Sequence, residues 1–217
     1  HGRHRLVTSA LIIDDHPIVL QGCRRLLEDA RVDSILEARD VVSGYRTYCR
    51  QKPDVVVIDL AMQGKGLNGL ALIRRIKTQD AKARILVFSM HSDPNIVARA
   101  LEAGATGYVI KDTSSEEFIE AFDKVRMGKA HLSSELAMQV ALVGVGNSTN
   151  PLRELTPREM DVLSLLAQGK PYGDIADALS VSYKTVVNLS SQLRQKLGAK
   201  NLPELIRMAV QLLAPTA

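Results

Sequence analysis

The sequence predicts two folded parts, an α/β domain built on a parallel sheet and a smaller all-α domain after it. Three observations carry this. Short apolar runs alternate with helical periodicity over the first 130 residues, the pattern of strands joined by crossover helices. Five polar residues (Asp14, Asp15, Asp59, Ser89 and Lys111) each fall at or just past the C-terminal end of such a run. That edge of an open α/β sheet is where ligands collect. Beyond a stretch rich in Gly, Ser and Asn at 144–151, the periodicity is helical throughout.

The strand runs are 10–13, a weaker one at 34–38, then 54–58, 84–88 and 107–110. Near-continuous apolar strands of this kind belong to a sheet covered on both faces. Helical spacing occupies about 17–30, 41–51, 68–79, 94–103 and 115–127. Gly104 and Gly107 bracket the turn into the last strand, and Gly128 stops the helix that follows it. Residues 131–141 have the pattern of one more helix. In the second part, Thr156-Pro157-Arg158-Glu159 has the form of a capping box with Pro at the first helical position, and Gly169 ends that helix. Helices at about 172–179, 183–197 and 203–213 follow, with Ser182 as a cap and Gly198 as a stop. The boundaries expected are 8–130 for the first domain, 131–153 for a partly helical linker and 154–217 for the second domain.

A chain of 217 residues accommodates two domains. No run approaches the roughly 18 apolar residues of a membrane span. The opening HGRHRLVTSA is too short and too weakly apolar for a secretory signal. Cys23 and Cys49 have no metal-ligand or redox spacing, so a reducing, cytoplasmic setting is expected. The net charge of +4 divides evenly between the two parts and excludes little. Residues 182–200 are locally basic, with Lys184, Arg194, Lys196 and Lys200 and no acidic residue. Such a stretch is either an electrostatic footprint for nucleic acid or a solvated helix face.

Paired acids at a strand end repel each other, and a divalent cation relieves that repulsion. Mg²⁺ takes oxygen ligands, and Asp14, Asp15 and Asp59 could supply several. A carboxylate could also act as nucleophile and form an acyl phosphate. Asp59 is the better candidate because it stands singly on the central strand. Lys111 could pair with phosphoryl oxygens and Ser89 could hydrogen-bond one. Aspartate at strand ends is also a common turn former and cap, so the five together carry more than any one.

The blocks LIIDDHP, VVVIDL, VFSMH and GYVIKD resemble those of bacterial response-regulator receiver domains over roughly residues 8–128. The resemblance implies a flavodoxin-like five-stranded sheet of order 2-1-3-4-5. It implies Asp59 as phosphoacceptor, with Asp14, Asp15, Asp59 and the backbone carbonyl of Ala61 as Mg²⁺ ligands. It further implies Ser89 as the switch hydroxyl, Lys111 as the invariant lysine and Tyr108 as the switch aromatic. In one loop the chain departs from the family. DLAMQGKGLNG carries Gln63 where Pro is usual and about two extra residues before Asn68-Gly69, and its glycines imply mobility.

Residues 154–213 resemble the LuxR-type helix-turn-helix of the NarL/FixJ class, through ELTPREMDVLSLLAQGK, DIADALSVSYKTV and LRQKLGAKN. Small Ala176 permits close crossing of two helices, while Ile175, Leu179, Val181 and Val186 fix their angle. The family commonly has Lys and His where this chain has Val187 and Leu189, and position 191 is Ser191. Lys184, Thr185, Val187, Asn188, Ser191, Gln192 and Arg194 remain as DNA-contact candidates. Asn188 could read adenine, and Val187 could touch a thymine methyl.

The resemblance implies a cytoplasmic transcription regulator rather than an enzyme or a membrane protein. A cognate histidine kinase would phosphorylate Asp59 with Mg²⁺, Tyr108 would move inward, and a homodimer would form and bind double-stranded DNA. The alternative is a receiver-controlled protein-interaction module whose altered recognition helix has lost DNA affinity.

Overall fold

A computed structural model of the chain describes residues 8–145 and 151–213. Five parallel strands form one sheet in the order β2-β1-β3-β4-β5. They are β1 (Ser9–Ile13), β2 (Ser34–Ala38), β3 (Val55–Ile58), β4 (Ile85–Ser89) and β5 (Gly107–Ile110). β3 consists of four fully buried β-branched residues, as a central strand between two helical layers requires. The helices are α1 (Pro17–Asp29), α2 (Val41–Gln51), α3 (Asn68–Gln79), α4 (Pro94–Ala103) and α5 (Ser115–Arg126). Their ends are set locally. Asp40, Asp93 and Ser114 cap α2, α4 and α5 with side-chain oxygens, and Pro94 opens α4.

One sheet face packs on α1 and α5 through Leu20, Cys23, Leu27, Phe118, Phe122 and Val125. The other packs on α2, α3 and α4 through Tyr48, Leu70, Ile73, Ile96 and Ala100. After α5 the backbone of His131 bridges to Gly107, and Tyr108 N donates to His131 O at 3.0 Å. The next helix, α6 (Ser134–Val145), lies against α4 with Leu136 buried. The helix expected at 131–141 therefore starts three residues later, because residue 131 is taken up by the sheet edge. Most of the expected Gly-rich linker, residues 146–150, lies outside the described residues.

A 3-10 turn (Pro151–Glu154) leads into α7 (Pro157–Ala167), α8 (Tyr172–Leu179), α9 (Tyr183–Leu197) and α10 (Leu202–Leu213). Leu163, Leu166, Ile175, Val186, Leu193, Leu205 and Ala209 form their common core. Ser180 turns the chain between α8 and α9 in the left-handed region (φ 53°). The capping box is complete: Glu159 N donates to Thr156 Oγ1 at 3.2 Å and Thr156 N to Glu159 Oε2 at 2.8 Å. The same oxygen of the buried Glu159 accepts from Lys196 Nζ at 2.9 Å, which pins α9 to α7. Thr156→Ala should cost about 1 kcal/mol, an ordinary capping loss. Glu159→Ala should cost about 2 kcal/mol, since it also strips a buried partner from Lys196. Urea denaturation checks both, and equal costs would show that the α9 tie contributes nothing.

Candidate phosphoryl site and DNA interface

The register of the sheet assembles the first site. Ile13 lies opposite Ile58, Ile58 opposite Val87, and Ser89 opposite Ile110. Parallel strands that end together bring the residues that follow them to one edge. Asp14 and Asp15 leave β1 there, Asp59 leaves β3, Ser89 closes β4 and Lys111 leaves β5. Lys111 Nζ stands 2.7 Å from Asp14 Oδ2 and 3.2 Å from Asp59 Oδ2, almost sealed from solvent. Leu60 N donates to Asp59 Oδ1 at 2.8 Å. Asp14, Asp59 and Ser89 are buried. Burial pushes the Asp59 carboxyl up to about 6, with Lys111 opposing that shift and Asp14 adding to it.

The acids form a cluster fit for a cation. Ligand atoms of Asp14, Asp15, His16 and Asp59 all lie within 4.8 Å of one another. Asp15 Oδ1 is buried and accepts no hydrogen bond, with the His16 ring nitrogen beside it, a position that suits a hard cation. Ala61 sits half-buried two residues past Asp59. Sequence reasoning does not single out His16. Its Nδ1 lies 2.8 Å from Asp14 Oδ1, 3.0 Å from Asp15 Oδ1 and 4.0 Å from Asp59 Oδ2. The only signal was its place directly after the paired acids.

Tyr108 is not poised to move inward, as expected from the sequence, because it is already inside. The ring is buried, and its hydroxyl donates to His91 O at 2.6 Å. Burial is also what raises its hydroxyl pKa, while Ser89 bonds it and opposes that shift. The glycines of the 60–69 loop likewise have a different use from the mobility expected of them. A Cβ on Gly66 would meet the backbone of Asp161 in α7 at 3.1 Å, and one on Gly69 would strike Asp59 O at 2.2 Å. Both glycines allow backbones to approach closely.

The second site is the outer face of α9. Thr185 N donates to Ser182 Oγ at 3.1 Å, so Ser182 caps the helix. Lys184, Val187, Asn188, Ser191 and Gln192 are exposed along it. Thr185 and Arg194 are half-buried, and the Arg194 Nε is enclosed without a partner. Leu189 packs against the core. Tyr183, which sequence reasoning passed over, is exposed at the helix start with its ring edge-on to Tyr172 at 6.0 Å.

A buried acid cluster with its lysine on a 2-1-3-4-5 sheet, joined to a helix-turn-helix whose α9 exposes its outer face, defines a phosphorylation-controlled DNA-binding regulator. Comparison with known proteins agrees. Residues 10–123 match the response regulator receiver domain, and residues 153–209 match the bacterial regulatory proteins of the luxR family. The chain belongs to the response regulators that join these two domains, and it is a transcription regulator. It is 39% identical over 196 residues to the methanol utilization control regulatory protein MoxX of Paracoccus denitrificans, covering 90% of this chain and 88% of that one. The fold matches RcsB of Salmonella enterica serovar Typhimurium bound to promoter P1flhDC with the phosphomimetic BeF3⁻. There the TM-score is 0.72 at 27% identity, over 94% of this chain and 99% of that one. A further Salmonella typhimurium RcsB structure gives 0.77 at 28% identity, over 95% and 98%. The match to a DNA-binding family does not favour the interaction-module alternative. Among the described residues no helix is long and apolar enough to cross a membrane.

Proposed function

We propose that Asp59 accepts a phosphoryl group from a partner histidine kinase, and that its loading controls dimerisation and promoter binding through α9. An Asp59 oxygen attacks the phosphorus of the donor's phosphohistidine. The new P–O bond replaces the P–N bond, whose electron pair leaves on the donor imidazole. The observation that carries this reading is the pairing of Lys111 with both Asp14 and Asp59 at one sheet edge. Lys111 is placed to hold the incoming phosphoryl oxygens, and Ser89 offers a buried hydroxyl to another. Asp14, Asp15, Asp59 and the Ala61 carbonyl would hold Mg²⁺, which supplies charge neutralisation for the phosphoryl group. The buried Asp15 Oδ1, which accepts no hydrogen bond, supports that assignment.

On this reading the protein is a cytoplasmic regulator, not an enzyme that turns over phosphate esters. Two copies bind paired half-sites, each with the N-terminal part of α9 in the major groove. RcsB binds promoter P1flhDC in one solved structure and sits as two dimers on two parallel DNAs in another, which supports a dimeric reader. Lys184, Thr185, Val187, Asn188, Ser191, Gln192 and Arg194 form the reading face. Asn188→Ala should lower affinity for the selected site by about 1–3 kcal/mol and relax one base position. Fluorescence anisotropy on a single-base substitution set measures this, and unchanged selectivity would remove Asn188 from the readout. The test of the whole reading is selection of bound genomic fragments with and without a phosphate donor and Mg²⁺. An enriched two-half-site motif, strengthened by the donor, is expected. No enrichment under either condition overturns the reading.

A further inference from the structure

His16 stands where a helix cap is expected and does not act as one. It is the N-cap residue of α1, with extended backbone (φ −91°, ψ 112°) and Pro17 at the first helical position. Ser, Thr, Asp or Asn in that place would turn a side-chain oxygen back to the helix amides. The His16 side chain makes no cap hydrogen bond. Its ring turns instead onto the acids of the phosphoryl site. The backbone fixes it there: His16 N donates to Asp14 Oδ1 at 2.9 Å, and Leu20 N donates to His16 O at 3.0 Å.

The distances from Nδ1 have the form of a coordination shell. They are 2.8 Å to Asp14 Oδ1, 3.0 Å to Asp15 Oδ1 and 4.0 Å to Asp59 Oδ2. With metal–ligand bonds of about 2.1 Å, neighbouring octahedral ligands stand about 3 Å apart and opposite ones about 4 Å apart. Nδ1 is thus spaced as a neighbour of two carboxylate oxygens and as the opposite of a third. Asp15 Oδ1 accepts no hydrogen bond even with this nitrogen beside it. A cation shared between them would satisfy both. Towards Asp14 the nitrogen acts as a donor when it carries a proton, and its lone pair can bind a metal when it does not. More than half of the His16 side chain is exposed, so an ion can reach it from solvent.

Mg²⁺ takes oxygen ligands and keeps its waters, so the three acids suffice for it and a ring nitrogen adds little. Imidazole suits Ni²⁺, Cu²⁺ and their neighbours in the first transition row. We propose that His16 is a further ligand at the acid cluster and makes it selective for a borderline divalent cation of the Ni²⁺ or Cu²⁺ kind over Mg²⁺. This rests on the reading of Asp14, Asp15 and Asp59 as the metal-binding acids. A nitrogen in an otherwise all-oxygen shell moves the site's preference toward the cations that bind most tightly in that row. The edge that receives the phosphoryl group is then also a place where a transition cation competes with Mg²⁺.

The test is calorimetric titration of the full chain with Ni²⁺ and, separately, with Mg²⁺. The background carries His1→Gln and His4→Gln, so that histidines at the start of the chain cannot bind the probe. Ni²⁺ should bind at least about tenfold more tightly than Mg²⁺. His16→Ala should lower Ni²⁺ affinity at least about tenfold more than it lowers Mg²⁺ affinity. Asp15→Asn should weaken both cations, which places them at one site. Pulsed electron spin resonance of the Cu²⁺-loaded chain should show modulation from an imidazole nitrogen that His16→Ala removes. Equal losses for the two cations in His16→Ala would reduce the ring to a packing role and overturn the proposal. Ni²⁺ binding indifferent to Asp15→Asn, or a Cu²⁺ signal unchanged by His16→Ala, would overturn it too. Mg²⁺ separates the two levels of the argument. Absent Mg²⁺ binding sinks the assignment of the acids and the proposal with it, whereas Mg²⁺ binding without a preference for Ni²⁺ sinks the role of His16 alone.

Discussion

Asp59→Asn is expected to abolish phosphoryl uptake while making the metal-free protein more stable. On the proposed reading the first effect follows from the loss of the nucleophilic oxygen of Asp59. Asp14 is engaged by both Lys111 and His16, and Asp15 is tied to the loop amide of Gln63. The second effect follows from burial, which raises the Asp59 carboxyl from 3.8 to about 6. A carboxyl raised on folding contributes stability that is complete below the unfolded value and is lost as pH climbs through the folded one. Between about pH 4 and pH 6, therefore, the aspartate protein loses stability that the asparagine variant retains. A shift of that size corresponds to about 3 kcal/mol at pH 8. Label transfer from a phosphorylated donor measures the first effect. Urea denaturation in a chelator, at pH 4 and pH 8, measures the second. A variant that still takes up a stable phosphoryl group, or one no more stable at pH 8, contradicts the corresponding half.

Lys111→Met should act in the opposite direction. The ammonium is nearly sealed from solvent and lies between two buried carboxylates. Removing one partner of a buried pair leaves the other charge uncompensated, at a cost of about 3–5 kcal/mol. Two facing acids then stand without their cation, so the variant should regain more stability from millimolar Mg²⁺ than the wild type does. The same denaturation experiment with and without Mg²⁺ reads this out. If the variant loses less than about 0.5 kcal/mol, the level of an ordinary surface change, Lys111 does not balance the acids. On the proposed reading, phosphoryl uptake should also slow, because the transferred group would lose the cation assigned to its oxygens.

Much of the fold could be read from the chain because parallel strands are buried on both faces and leave unbroken apolar runs. The run at 84–88 lies within a residue of β4, and those at 54–58 and 107–110 coincide with β3 and β5 to the same margin. Helix ends were equally legible where a cap is local, as at Thr156, Ser182 and Gly198. What could not be read depends on contacts distant along the chain. Residue 131 has a helical pattern around it, but its backbone is taken by Gly107, and no local signal encodes a sheet neighbour 24 positions earlier. The glycines of the 60–69 loop read as mobility because their sequence carries no sign of Asp161 on the other side. His16 was passed over for a related reason. A histidine after two acids has no spacing rule, and only the assembled edge shows its ring nitrogen among three carboxylates.

The backbone bridge at His131 also bears on how two copies can meet. An open sheet has two rims, and a bare rim invites strand addition from another molecule. Here the rim at β5 is partly occupied by the chain's own residue 131. The rim at β2 is short and carries exposed Ser34 and Glu37, the latter bonded to Arg24 Nε at 2.7 Å. Neither rim offers a long, flat, apolar template. If copies of this chain associate as proposed, these rims favour packing of helices or loops over fusion of two sheets into one. A reversible signal needs an assembly that can come apart when the phosphoryl group is lost.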